Sequence, residues 1–126
     1  MVAADTNFLV RLIAQDDPAQ TRKAMQFIQG GVWAAHLVVA EAISVLRCSY
    51  GANKAEQMRA VEMLIGTALV TLEDAAVVEA ALALFAGHAK LDFTDCLVLE
   101  IARKTGHTPL GTFDKALGKL PGVKAL

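Results

Sequence analysis

The sequence is poor in the residues that build disulfide scaffolds, zinc sites and membrane spans. Its only two cysteines, Cys48 and Cys96, stand alone without metal-ligand spacing. That excludes a disulfide framework and predicts two reduced, buried thiols in a cytoplasmic protein. His36, His88 and His107 show no paired spacing either, which argues against zinc. The longest apolar runs fall far short of a membrane span, and no signal peptide is expected ahead of the first strand. Internal repeats and low-complexity segments are missing. An excess of charge of one sign is missing too: the net charge is −1, which does not advertise a nucleic-acid binder.

What is present is apolar and evenly spread. Hydrophobic residues make up 55% of the 126 positions and charged residues 20%, the balance of one globular domain over 1–126 with a substantial core. Residues 2–4 read as a buried first strand ending at Asp5. Phe8, Leu9, Leu12 and Ile13 follow at helical spacing. Asp16-Asp17-Pro18 closes that helix and opens a second, which Gly30-Gly31 stops. A second strand is expected over 32–35, a strongly apolar helix over 37–50, and an Asn53-capped helix over 54–65. A third strand over 69–72 leads through Glu73-Asp74 into an Ala-rich helix ending near Gly87-His88. A helix over 96–104, a fourth strand over 109–112, a helical turn at 116–118 and an edge strand over 123–126 complete the chain. Strands alternating with helices predict a mostly parallel sheet covered by helices on both faces.

Five acids stand out against this frame. Asp5 and Asp114 follow the first and fourth strands, and carboxyl ends of strands are where open α/β sheets place ligands. Asp92 and Asp95 are three apart at a helix start, on one face, where backbone N–H groups favour negative charge. Glu41 is the single acid of an apolar helix, flanked by Val38-Val39-Ala40 and Ala42-Ile43. Those flanks predict a buried carboxylate that needs a partner or a metal. Each Asp alone is equally an N-cap. Carboxylates crowded together without cations imply a hard divalent ion. Committing all five to a metal site leaves eight acids against twelve Lys and Arg, a basic remainder that permits phosphate binding. Arg11, Lys90 and Lys115 are candidate phosphate contacts.

Asp5-Thr6-Asn7, the lone Glu41, Asp92-Phe93-Thr94-Asp95 and Thr112-Phe113-Asp114, in that order, resemble the acidic motifs of PIN-domain ribonucleases. More narrowly, the chain resembles VapC-type toxins of bacterial toxin–antitoxin pairs, over nearly its whole length. The resemblance implies a three-layer α/β/α fold and a homodimer. It also implies Mg²⁺- or Mn²⁺-dependent cleavage of RNA, and inhibition by a small VapB-type antitoxin. By motif, Asp5, Glu41, Asp95 and Asp114 match the acidic quartet, with Asp5, Asp95 and Asp114 as metal ligands. Asp92 matches an additional acid and Thr112 a hydroxyl beside the last one; Asn7 and Thr112 are expected to orient carboxylates. Two positions depart from the pattern. Thr94 stands where that subgroup usually has Ala, and Ala35 where relatives often carry Ser.

Two other readings compete. A degenerate PIN fold acting only as an RNA- or protein-binding module would not need the intact acidic set. A receiver-like Mg²⁺-binding signalling domain would need paired acids after strand one and an Asp after strand three, and Val70-Thr71-Leu72 is followed by Glu73.

Overall fold

The computed structural model describes residues 1–126, which form two compact units, Met1–Ala75 and Ala76–Leu126. The first contains β1 (Val2–Ala3), α1 (Thr6–Ala14), α2 (Pro18–Phe27), β2 (Val32–Ala34), α3 (His36–Ser49), α4 (Lys54–Gly66) and β3 (Val70–Leu72). Its three strands pair in the order β1-β2-β3, all parallel, with Val2 opposite Val32 and Val32 opposite Val70. Val32 and Ala34 of the central strand are fully buried.

The expected buried first strand is corrected here. β1 has only two residues, lies at the edge of this sheet, and exposes both; burial begins at Ala4. Asp5 follows at once and caps α1, its Oδ1 accepting the Phe8 N–H at 2.8 Å. Asp17 caps α2 in the same way, with Pro18 in the first turn. Asn53 and Glu56 form a reciprocal capping box at α4. Ala35 has no side-chain oxygen to cap α3. That role passes to Glu73 at the end of β3, whose Oε1 accepts the His36 N–H at 2.9 Å.

The second unit contains α5 (Ala75–Gly87, beginning at its boundary), α6 (Phe93–Lys104), β4 (Leu110–Thr112) and β5 (Val123–Ala125). α5 buries Val77, Val78, Ala81 and Phe85, and α6 buries Phe93, Cys96, Leu97 and Leu99. Phe85 and Phe93 meet edge to face with ring centres 5.9 Å apart. Burying a Phe side chain of this kind contributes about 2–3 kcal/mol. β4 and β5 pair in parallel, Leu110 opposite Val123, through a short 3-10 turn at Leu117–Lys119. Gly118 permits that return: a Cβ there would lie 2.8 Å from the Cβ of Ala125.

Parallel strands and six α-helices give the expected α/β class. No helix is long and apolar enough to cross a membrane. The cysteine expectation holds for one thiol only: Cys96 is buried, whereas Cys48 is exposed near the end of α3.

Candidate active site

In the first unit the two candidate acids stand after the carboxyl end of β1 and in the middle of α3. Asp5 is exposed, with Oδ1 tied to the first turn of α1. Glu41 is exposed as well, which corrects the expectation of a buried carboxylate. Neighbours at i±1 point to other sides of a helix. The buried stripe of α3 runs through Val39, Ala42, Ile43 and Leu46, and Glu41 lies outside it. Its partner is Thr6, whose hydroxyl donates to Glu41 Oε2 at 2.7 Å. Thr6 was not foreseen as a site residue; its hydroxyl directly after Asp5 was the available signal. Asn7, the expected orienting residue, is exposed on α1.

Arg11 is occupied within the fold. Its guanidinium bonds Gln20, the Tyr50 hydroxyl at 3.0 Å and Asp16 at 3.3 Å. Those contacts compete with any phosphate.

In the second unit, Asp92 is the N-cap of α6, and its Oδ1 accepts the Asp95 N–H at 2.7 Å. Asp114 follows β4. The Thr112 hydroxyl accepts the Asp114 N–H at 3.0 Å, and Asp114 Oδ1 accepts the Leu117 N–H at 2.9 Å. Each cap uses one oxygen of its carboxylate and fixes the direction of the other. Asp92 and Asp114 both act electrically on Asp95. Burial first, then the charges of Asp92 and Asp114, and last a hydrogen bond with Asp92, push the Asp95 carboxyl above its usual range. Lys90 and Lys115 are exposed, Lys115 directly after Asp114. Phe113, beside the same acid, is 84% exposed, a feature that the motif alone did not disclose.

These residues fit a divalent cation by chemistry. Their donors are hard carboxylate oxygens, and Asp95 is raised by burial and then by two neighbouring acids. The ion pairs Arg11–Asp16 and Arg103–Glu100 involve none of Asp5, Glu41, Asp92, Asp95 or Asp114. The side chains are not drawn in around an ion: no group of three or more His, Cys, Asp or Glu is gathered closely enough to hold one.

Parallel strands whose carboxyl ends lead into Asp5 and Asp114, with Asp92 and Asp95 opening a helix, define an α/β protein with acids after its strands. The PIN domain family model matches residues 2–123, and the chain belongs to that family. PIN domains are generally metal-dependent nucleases. Comparison with curated protein sequences gives no match.

Proposed function

We propose that the chain is a Mg²⁺-dependent endoribonuclease, with Mn²⁺ as an alternative ion, working as one PIN-like nuclease domain over 1–126. The observation that carries this reading is the Asp95 carboxyl, raised first by burial and then by the charges of Asp92 and Asp114. Such crowding disfavours ionisation until a cation compensates it. In this reading Asp5, Asp95 and Asp114 would hold the ion, and Asp92 supports Asp95 through the α6 cap. The ion would supply Lewis acidity and positive charge at the scissile phosphate. Glu41 would take a proton from the attacking water as the new P–O bond forms and the bond to the leaving 3′ oxygen breaks, that oxygen taking a proton from solvent. The Thr6 hydroxyl holds one Glu41 oxygen and leaves the other for this task. Thr112 fixes the backbone of Asp114, Asn7 orients a neighbouring carboxylate, and Lys90 and Lys115 are the phosphate contacts.

Purified protein incubated with single-stranded RNA in Mg²⁺ is expected to release defined fragments, and EDTA is expected to stop the release. RNA left intact in Mg²⁺ and in Mn²⁺ alike would favour the non-catalytic binding module.

The positioning role of Thr6 has its own test. Thr6→Val keeps the shape and loses the hydroxyl, so kcat is expected to fall about 10- to 100-fold, as for other orienting partners of a site. The acid limb of the pH–rate profile should move with it, and Thr6→Ser should restore both. An unchanged profile in Thr6→Val would leave Thr6 as a helix residue only.

The same carboxylates support a regulatory reading. A VapC-like toxin is held silent by a small VapB-type antitoxin whose Arg or Lys pairs with the acids, while apolar residues fill a groove between helices. The active toxin is a homodimer in this reading. Induction of the chain alone should arrest growth, and co-expression of a VapB-type antitoxin that binds it should relieve the arrest.

A further inference from the structure

The first unit carries a cleft of about 460 Å³ whose lining includes Asp5 itself and Arg11 together with Asn7, Phe8, Lys23 and Phe27, so its two cations outnumber its one acid. The Phe8 and Phe27 rings, both in its lining, meet edge-on with centres 5.4 Å apart at 67°. Phe27 remains 49% exposed. Lys23 lies one helical turn before it on the same side of α2, and both Lys23 and Asn7 are exposed. No acid interrupts α2 between Pro18 and Phe27.

An aromatic face, an amide and a cation around a space of nucleotide size are the elements that seat an unstacked base: the ring stacks, the amide reads a polar edge, and the cation meets the phosphate. A purely apolar peptide groove would not need the cation and amide. We propose that this cleft is a nucleobase subsite, holding one unpaired base of single-stranded RNA against Phe27 with Lys23 on its phosphate. The subsite rests on the ribonuclease reading for its purpose, because it places the strand alongside Asp5. It takes unpaired RNA and rejects duplex, whose bases are already stacked.

The test is fluorescence anisotropy of a labelled short single-stranded RNA with the full chain in EDTA, where cleavage is stopped. Phe27→Ala is expected to weaken binding about tenfold. Phe27→Leu, which keeps apolar bulk and guards against simple misfolding, should weaken it similarly, and Phe27→Trp should preserve it. Lys23→Gln should reduce the salt dependence of log Kd by about one unit of slope. With Mg²⁺ present, Phe27→Leu should raise KM and leave kcat unchanged. Parental RNA affinity in Phe27→Leu overturns the subsite, even if the protein cleaves RNA. If Phe27→Leu leaves RNA binding unchanged and instead weakens capture of a VapB-type antitoxin, the cleft is a protein groove and the proposal falls. Phe27-dependent RNA binding by a protein that never cleaves would uphold the subsite and sink only the nuclease reading.

Discussion

Asp95→Asn is expected to abolish RNA cleavage while making the metal-free protein more stable at neutral pH. The two effects share one cause. Burial and the charges of Asp92 and Asp114 raise the folded-state pKa of Asp95 above its ordinary 3.8. The folded chain therefore holds that proton more tightly than the unfolded one. The resulting stabilisation is fully present below the unfolded value and is lost as pH rises through the folded value. At neutral pH the ionised carboxylate opposes folding. Asparagine removes that opposition, and the Asp92 cap is retained because it uses the Asp95 backbone N–H. A rise in Tm is expected in EDTA at pH 7, shrinking towards zero in acid below the ordinary Asp range. Cleavage should fall on the order of 10²–10³-fold, as when one electrostatic group is removed from a catalytic centre. Thermal denaturation across pH, run beside an RNA cleavage assay, checks both. Loss of stability at pH 7 with cleavage intact would make Asp95 an ordinary first-turn residue.

The second large effect separates cap from catalyst at Asp5. Its Oδ1 closes the first turn of α1, and asparagine caps a helix about as well as aspartate does. Asp5→Asn should therefore keep its Tm and still lose cleavage by on the order of 10²-fold. Asp5→Ala should lose cleavage to the same extent and also about 1 kcal/mol of stability. Chemical denaturation of both variants, with initial rates on one RNA, gives the comparison. Full activity in Asp5→Asn would reduce Asp5 to its capping bond.

Much of the architecture was legible because local chemistry and periodicity agree in this chain. Asp17-Pro18, Asn53 with Glu56, and Asp92 all mark helix starts that the fold uses. Acids after β1 and β4 were readable for the same reason: an Asp that ends an apolar run and precedes helical spacing is both a cap and a ligand candidate. What escaped the sequence depends on three dimensions. Glu41 seemed buried because its sequence neighbours are apolar, but a helix turns about 100° per residue, and the buried stripe of α3 passes it by. The Thr6–Glu41 bond joins residues 35 apart, and the Glu73–His36 bond residues 37 apart; no local pattern announces either. Burial of β1 and of Cys48 was overestimated because apolar character alone does not say which sheet edge or helix face a residue occupies.

The Glu73 cap also bears on the departure at Ala35. A side-chain cap missing from the sequence at α3 is supplied from the end of β3, so α3, and Glu41 on it, keep a defined start. The departure changes which residue holds the helix rather than whether it is held.

The central claim is that these carboxylates bind a divalent ion, and calorimetric titration of Mn²⁺ into the metal-free full chain and into Asp95→Asn tests it most directly. The account predicts saturable binding in the parent chain and its loss in the variant. Identical isotherms for the two proteins, or a parent chain that takes up no Mn²⁺, would contradict it.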